Sequence, residues 1–463
     1  MAYYNSIFSV VVALLATTFF CSYSANSNVS SVAVEQEAKA LLQAGWWTHD
    51  SLDTSTPSPC NFSGVTCNRF GSITHISLLH NSKVQKNLGR FLNSSSFPNL
   101  VHLDLAEAGL VGSIPPEIGT LSKLTYLSLS NNNLTGDLPL SLGNLSQLLR
   151  LDISYNHING SISPQLGKLS NLGVLNLSSN QINGRMPPTP GLLFNLTHLD
   201  ISSNQIKGEL PRSLTSLDKL VSLSLSSNEL NGTLPSTLDQ LTKLTTLSLG
   251  WNQINGKVPP ELGNLRNIQS LDLDGNMFNG PLPSTLGHLI NLTHLSFYGN
   301  QINGSIPPQI WNLTNLTYLD LSGNMFIGQL PSALGQLTNL STLYLNSNQF
   351  SGSIPLDIGK LVNLQTLWLA NNMFTGPLPS TLLHLTNLNS LYLSYNQLNR
   401  SIPSEIGKLV SLQTLLLSSN MFTGSIPQEV GNLKNLTYLS LWNNNLTGPI
   451  PSAICNLTKL ESL

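Results

Sequence analysis

Asparagine returns every 24 residues along most of this chain of 463 residues. Fourteen asparagines keep the period without a break, namely Asn132, Asn156, Asn180, Asn204, Asn228, Asn252, Asn276, Asn300, Asn324, Asn348, Asn372, Asn396, Asn420 and Asn444. Around each lies the frame L-x-x-L-x-L-x-x-N-x-L-x-G-x-[IL]-P, with few departures. A unit this short cannot bury its own apolar face, so the units must stack on one another as a solenoid.

Each fixed position of the frame has a physical role. The two leucines that are two residues apart point inward from a short strand, and the residue between them points outward. The asparagine amide can satisfy backbone groups that the end of the strand leaves buried, so stacked copies would form a ladder. Glycine permits a backbone conformation that a side chain would forbid, and proline fixes φ on the far side of the coil.

Two more copies precede the run, and departures from the frame are few. One copy has Ala108 in the asparagine position, and the other has Asn81 followed by a longer spacer of 27 residues, which brings the total to sixteen. Ser163 replaces the proline of its copy, and Arg400 replaces the glycine. We expect Ala108 to interrupt the ladder. Arg400 should either distort its coil or place its side chain on the surface.

The composition agrees with one motif used many times and excludes two other classes of protein. Charged residues make up 9% of the chain, and the formal net charge is −2. This balance excludes a nucleic acid as a partner, because such binding needs a basic surface that displaces counterions. Intrinsic disorder is excluded as well, because it requires low hydrophobicity together with high net charge.

The N-terminus is typical of a secreted protein. The apolar run over residues 7–20 is too short to span a membrane, and small residues that a signal peptidase accepts follow it at Ser22, Ser24 and Ala25. We therefore predict a signal peptide over residues 1–24, although no cation precedes Lys39. No later stretch is apolar enough to cross a membrane.

The cysteines and the glycosylation sequons are consistent with export. Cys60 and Cys67 enclose six residues, which suits a short-loop disulfide in an oxidising compartment. Cys455 occupies a position where neighbouring repeats have glycine, which favours a small buried thiol over a reactive one. Eighteen Asn-x-Ser/Thr sequons predict a glycosylated surface, and the candidate sites are Asn61, Asn93, Asn144, Asn195, Asn291, Asn315, Asn339 and Asn435.

The frame resembles the plant-specific class of leucine-rich repeat, whose hallmark is the G-x-[IL]-P tail, over residues 73–463. The preceding segment resembles the N-terminal cap of plant receptor-like kinases and receptor-like proteins. The residues that carry this second resemblance are Glu37-Ala38-x-Ala40-Leu41-Leu42, Trp46, Trp47, Cys60 and Cys67, with Phe62 where the family usually has Trp.

This resemblance implies a leucine-rich repeat solenoid, a curved or superhelical right-handed stack of coils. A parallel β-sheet would line its concave face, and 3-10 or irregular coil its convex face. The cap would occupy residues 25–72, and about sixteen repeats of 24 residues would occupy residues 73–463. Because Leu460 and Leu463 fit the start of a seventeenth repeat, we expect the sequence to be cut off within it.

A ligand site is predicted on the concave face. In this frame, the residues six, four, two and one before each ladder asparagine face that side, and aromatic residues accumulate among them from Asn252 onward. Tyr and Trp dominate binding hot spots, although aromatic pairs across strands also stabilise a sheet, by about 0.2–1 kcal/mol each. The predicted ligand-binding residues are Trp251, Tyr298, Tyr318, Asp320, Tyr344, Trp368, Tyr392, Tyr395 and Trp442.

The ligand is expected to be extended, cationic in part, and a secreted peptide. Asp272, Asp274 and Asp320 would contact its cations. Asn176 is the one sequon among the concave positions, so a glycan there would obstruct only the N-terminal half.

The resemblance implies the ectodomain of a plant leucine-rich repeat receptor-like kinase. Such a receptor binds a secreted peptide or protein ligand, recruits a leucine-rich repeat co-receptor kinase, and has a membrane span and a Ser/Thr kinase that would follow residue 463. The full-length protein would then lie in the plasma membrane, whereas the chain by itself would be secreted. The alternatives are a receptor-like protein without a kinase and a secreted inhibitor of a cell-wall-degrading enzyme.

No catalytic motif points to an enzyme, and no cofactor or metal is expected. The His198-x-Asp200 pair occupies positions that hold varied polar residues in every repeat. Asp272-x-Asp274 resembles the opening of a calcium loop, but it lacks the closing glutamate of an EF-hand.

Overall fold

The repeats stack as coils, each of which adds one short strand to a continuous sheet of seventeen strands. The structure is a computed structural model that describes residues 31–44, 58–78, 86–92, 97–187 and 192–462. The strands of this main sheet are Val65–Cys67, Ile73–Ser77, His102–Asp104, Tyr126–Ser128, Arg150–Asp152, Val174–Asn176, His198–Asp200, Ser222–Ser224, Thr246–Ser248, Ser270–Asp272, His294–Ser296, Tyr318–Asp320, Thr342–Tyr344, Thr366–Trp368, Ser390–Tyr392, Thr414–Leu416 and Tyr438–Ser440. The predicted solenoid fold is therefore confirmed.

The pairing of the main sheet follows the period of the sequence. The first strand is antiparallel to the second, and every later pair is parallel. Residues 24 apart lie side by side, as Leu319 does beside Leu343. From the strand His102–Asp104 onward, the central leucine of each strand points into the core and is buried, so its two neighbours point to the concave side.

A second row of short strands follows the ladder asparagines, and 3-10 helices form the far side of the coils. The strands of the second row are Lys86–Asn87, Leu110–Ser113, Asn133–Asp137, His157–Asn159, Lys207–Gly208, Glu229–Leu230, Asn255–Lys257, Met277–Gly280, Gln301–Gly304, Met325–Gly328, Gln349–Ser353, Met373–Gly376, Gln397–Ser401, Met421–Gly424 and Asn445–Leu446. The 3-10 helices are Pro59–Asn61, Pro116–Thr120, Leu140–Asn144, Pro164–Lys168, Arg212–Ser216, Ser236–Gln240, Pro260–Asn264, Ser284–His288, Pro308–Asn312, Ser332–Gln336, Leu356–Lys360, Leu382–His384, Ser404–Lys408, Gln428–Asn432 and Ser452–Asn456.

The asparagine ladder is present, as predicted, and Asn276 shows its geometry. Its Oδ1 accepts a hydrogen bond from the backbone N–H of Ile254 in the preceding coil at 3.0 Å. Its Nδ2 donates to the carbonyl of Leu249 in that coil and to the carbonyls of Leu273 and Asp274 in its own coil, at 2.9–3.2 Å. The Oδ1 bond recurs at all fourteen asparagines. Each amide therefore joins two coils.

The three departures from the frame are accommodated locally. Where Ala108 has no amide, the backbone N–H of Lys86 donates to the carbonyl of Gly109 at 3.0 Å instead. The hydroxyl of Ser163 accepts from the N–H of Gln165 at 3.1 Å and caps the 3-10 helix that follows. Arg400 keeps the left-handed conformation of the glycines it replaces, with a φ of 69°, and its side chain is exposed.

A short helix and a disulfide lie at the N-terminal end of the stack. The helix Ser31–Gln43 buries Glu37, whose carboxylate accepts from the hydroxyl of Ser72 at 2.6 Å and from the N–H of Ile73 at 2.9 Å. Burial raises the pKa of Glu37. A disulfide joins Cys60 and Cys67, and the described residues contain one further α-helix, the single turn Leu88–Phe91. The predicted signal peptide, Trp46 and Trp47 lie outside the described residues.

At the other end, the prediction of a buried thiol at Cys455 is wrong, because this side chain is exposed. The equivalent position one coil earlier shows why. A Cβ atom on Gly431 would lie 2.4 Å from the carbonyl oxygen of Ala453 in the next coil. The position is thus covered by the following coil, and no described coil packs against the one that contains Cys455.

Candidate ligand-binding surface

Five rings on five consecutive coils form a continuous row on the concave face. The parallel register places Tyr344, Trp368 and Tyr392 side by side on neighbouring strands. The ring centroids of Tyr344 and Trp368 are 5.7 Å apart with nearly perpendicular planes, and those of Trp368 and Tyr392 are 4.9 Å apart. Tyr318 contacts Tyr344 at 5.8 Å and stacks on His294 at 4.2 Å. His294 extends the row by one coil beyond the predicted residues.

An aromatic pair flanks this row at each end. The centroids of Trp251 and Tyr298 are 6.0 Å apart, and so are those of Tyr395 and Trp442. All eight predicted aromatic residues therefore touch another ring of the same face. Together with His294, they are called the aromatic surface below.

Ring contacts within the sheet do not bury the aromatic surface. Trp251 and Trp442 remain 57% and 58% exposed, and Tyr395 is 51% exposed. The backbone contributes to this exposure at the position just before the ladder asparagine, where Trp251 and Tyr395 have φ values of 58° and 56°. The same left-handed conformation recurs at this position in other coils, for example at Glu107, Asn131 and Tyr155, so it belongs to the repeat and does not by itself mark a binding site.

Two of the three predicted carboxylates accept a hydrogen bond from a backbone N–H of their own coil. Asp320 is 6% exposed, and its carboxylate accepts from the N–H of Ser322 at 2.8 Å and from the hydroxyl of Tyr318 at 3.3 Å. Asp272 accepts from the N–H of Asp274 at 3.1 Å and from the hydroxyl of Ser248 at 2.9 Å. Both carboxylates thus satisfy a backbone donor at the end of their strand.

Asp274 has a different environment, because its donors belong to the next coil. Its Oδ1 accepts from the hydroxyl of Ser296 and from the N–H of Tyr298, the latter at 2.7 Å. Burial, with a smaller effect from the negative charge of Asp272, raises the pKa of Asp274 to about 7. No Lys or Arg occupies any concave position from 246 to 443, so the sequence supplies no cation to balance this carboxylate from the same face.

The N-terminal half contains a second row of rings that sequence analysis missed. His75 and His102 stack at 5.5 Å, and His102 stacks on Tyr126 at 4.1 Å. The guanidinium of Arg150 lies 5.8 Å from the ring of Tyr126 and is paired with Asp152 at 3.1 Å. All four residues stand six before the asparagine position, and reading that one column would have found them.

The described sequon candidates lie away from the concave positions. Asn61, Asn144, Asn291, Asn315 and Asn339 are exposed. Asn195 and Asn435 are half-buried, and Asn93 lies outside the described residues. Five of the eight share one position in the repeat, where Nδ2 donates to a carbonyl of the preceding coil at 2.8–3.2 Å. Glycans at these sites would leave the aromatic surface open.

The described residues contain neither a metal-binding cluster nor a membrane-spanning helix. No group of three or more His, Cys, Asp or Glu side chains in that part of the chain is arranged to hold a metal ion. No helix among those residues has both the length and the apolar character that a bilayer crossing requires.

Family models recognise the repeats along most of the stack. Models described as leucine-rich repeat match residues 123–145, 147–169, 195–217 and 218–278, and a leucine-rich repeat region model matches residues 283–391 and 347–463. The plant peptide hormone receptor RGFR1, solved in complex with RGF2, is 33% identical over 87% of this chain and 71% of its own, with a TM-score of 0.66. This chain belongs to the leucine-rich repeat family.

Two further solved leucine-rich repeat ectodomains from Arabidopsis are similar. That of the membrane receptor kinase GASSHO1/SCHENGEN3 from Arabidopsis thaliana, in complex with CASPARIAN STRIP INTEGRITY FACTOR 2, is 34% identical with a TM-score of 0.68. The match covers 81% of this chain and 50% of that one, so this chain spans half of that ectodomain. The Arabidopsis receptor kinase HAESA, in complex with the peptide hormone IDA and the co-receptor SERK1, is 28% identical over 92% of this chain and 93% of its own, with a TM-score of 0.56. No curated protein sequence matches this leucine-rich repeat chain.

Proposed function

We propose that this chain is the extracellular, ligand-sensing part of a plant leucine-rich repeat receptor kinase, and that its aromatic surface binds a secreted peptide. The observation that carries the proposal is the row from His294 to Tyr392, in which five rings touch one another and face away from the core. Large rings with polar tips that cannot enter the core supply the contact area typical of binding hot spots.

The similar proteins support a peptide as the ligand and a second receptor as the partner. RGFR1 and HAESA were each solved with a peptide bound, and HAESA also with the co-receptor SERK1. By analogy, peptide binding to this chain would recruit a leucine-rich repeat co-receptor at the cell surface. A membrane span and a cytoplasmic Ser/Thr kinase would transmit the signal and belong to the same proposal.

The aromatic surface can be tested by replacing two central rings with the residue that other coils carry. Serine occupies the position of Trp368 and Tyr392 in six coils, at Ser77, Ser128, Ser224, Ser248, Ser296 and Ser440, so the double replacement Trp368→Ser with Tyr392→Ser should preserve the fold. We expect affinity for a panel of synthetic secreted peptides, measured by interferometry, to fall by about thirtyfold or more.

The matched control lies on the N-terminal half of the same face. Tyr126→Ser with Tyr155→Ser removes two concave tyrosines outside the aromatic surface and should leave peptide affinity within about twofold. Wild-type affinity in the Trp368 and Tyr392 variant, or an equal loss in the control, would contradict the assignment of the ligand to the aromatic surface.

A further inference from the structure

A gap in the row of side chains opens where the aromatic surface begins. The residue just before the ladder asparagine has a side chain in every described coil except three consecutive ones. The coil in which Ala108 replaces the asparagine follows this rule as well, because it has Glu107 there. The three exceptions are Gly275, Gly299 and Gly323, all with φ between 54° and 64°. The backbone at this position therefore has no side chain of its own in three consecutive coils.

The two rings at the N-terminal end of the aromatic surface border this bare backbone. A Cβ atom on Gly275 would lie 2.8 Å from Cε3 of Trp251, so the indole can lie there only because the residue is glycine. A Cβ atom on Gly323 would lie 3.5 Å from Cε2 of Tyr298. The planes of Trp251 and Tyr298 are inclined at 52°, so the two rings are not stacked on each other.

Asp274 lies between Trp251 and Tyr298 in sequence, and the backbone of Tyr298 holds its carboxylate. Its Oδ1 accepts from the backbone N–H of Tyr298, and the N–H of Gly275, the next residue, donates to the carbonyl of Tyr298. The carboxylate is thus held at the coil-to-coil junction where the two rings meet the glycines. Serine is the common residue at the position of Asp274, so the negative charge is not required by the frame.

We propose that Trp251, Tyr298 and Asp274 form a binding site for one cationic side chain, an arginine guanidinium or a lysine ammonium. Aromatic faces and a carboxylate both attract such a cation, and attraction to the rings is strongest for Trp. A Cβ atom on Gly299 would meet only the backbone of Gly275, at 3.8 Å, so a long side chain can reach the backbone between the two rings. The inference rests on the proposed function only in assigning this cation to the peptide ligand.

The chain offers one control for the rings of the site and another for its carboxylate. Tyr155 occupies the same position as Trp251, has the same left-handed conformation with a φ of 54°, and is 58% exposed. No carboxylate stands beside it at the position equivalent to Asp274, because the next coil has Ser178 there. Asp200 is a carboxylate of the same face, held by Ser202 in its own coil.

The test uses Nα-acetyl-arginine amide as the probe and its neutral isostere Nα-acetyl-citrulline amide as the comparison. Binding to the chain labelled with fluorotryptophan is followed by fluorine NMR at pH 8, where the signal of Trp251 is assigned by its loss in Trp251→Ser. We expect saturable binding of the arginine amide with a dissociation constant in the range of about 1–10 mM, and binding of the citrulline amide at least about tenfold weaker.

The variants locate the site and separate it from the proposed function. Asp274→Ser and Tyr298→Ser should each weaken arginine-amide binding by about tenfold, whereas Tyr155→Ser and Asp200→Ser should not change it. No saturation up to about 100 mM, equal binding of the citrulline amide, or unchanged binding in Asp274→Ser would overturn the cation site. If peptide affinity still depends on Trp368 and Tyr392 in that case, the proposed function stands without it.

Discussion

The N-terminal half of the concave face, from His75 to Gly250, differs from the half that follows in side chains and hardly at all in backbone. Both halves have three-residue strands in the same parallel register and the same amide ladder. The first half exposes mainly serines and isolated aspartates, with one row of rings that ends in an ion pair. The second exposes the aromatic surface and an unbalanced Asp274.

This comparison separates the residues that make the fold from those free to specify a ligand. The ladder and the leucines are fixed by contacts between coils, and these contacts are the same wherever the coil stands. The outward positions take no part in the ladder or in the leucine core, so their side chains can change from serine to tryptophan without altering the coil. We therefore expect mutations in the frame to act alike in both halves and mutations in the outward positions to act differently.

The largest expected effect comes from the ladder. Asn156→Ala in the N-terminal half and Asn276→Ala in the C-terminal half each remove an amide that is almost fully buried and leave the N–H of the preceding coil without its acceptor. We expect each to lower the free energy of unfolding by about 3 kcal/mol or more, as measured by urea denaturation with circular dichroism.

Asn279→Ala serves as the control, because this asparagine is exposed and outside the ladder. It should change the free energy of unfolding by less than about 0.5 kcal/mol. A large difference between the two ladder variants in the loss of unfolding free energy would show that the ladder does not stabilise both halves of the solenoid alike.

The sequence was sufficient to predict the frame because each fixed position of the repeat contacts the equivalent part of the neighbouring coil. The ladder, the concave aromatic residues and the surface position of Arg400, as one of two alternatives, could be anticipated from spacing alone. The stack from His75 to Arg150 was missed because a search for Tyr and Trp alone leaves out histidine, although the period of 24 residues already places His102 beside Tyr126. The different environments of Asp320 and Asp274 could not be predicted, because the sequence does not show that the donors to Asp274 come from the next coil.

The next largest effect is a dependence of stability on pH that Asp274 gives to the C-terminal half. The pKa of Asp274 is raised from its ordinary value of 3.8 to about 7 in the folded chain, so the folded state holds its proton more tightly than the unfolded state does. The stability that this proton contributes is fully present below pH 3.8 and is lost as the pH rises through 7. Because the carboxyl group is only partly buried, we expect this loss to be about 2 kcal/mol rather than the full value for the shift.

Asp274→Asn should remove this part of the pH dependence, which thermal unfolding of both proteins between pH 4 and pH 8 would measure. Asp200→Asn in the N-terminal half should keep the wild-type slope, because Asp274 is still present. If the two variants have the same profile, the unusual titration does not belong to the C-terminal half.

The smallest effect concerns the one glycine of the frame that the C-terminal half lacks. Arg400 adopts a φ of 69°, where an L-residue pays a steric cost that glycine avoids, while glycine loses more entropy on folding. Arg400→Gly should therefore stabilise the chain by about 0.5–1 kcal/mol, and the reverse change one coil earlier, Gly376→Arg, should destabilise it by a similar amount. The second site isolates the backbone effect, because a Cβ atom on Gly376 would meet its nearest neighbour, Ser353, at an ordinary 3.7 Å. Changes of opposite sign in the free energy of unfolding, measured by urea denaturation, would show that Arg400 occupies its position in spite of a backbone cost. A loss of stability in Arg400→Gly would instead mean that the exposed side chain of Arg400 stabilises the coil.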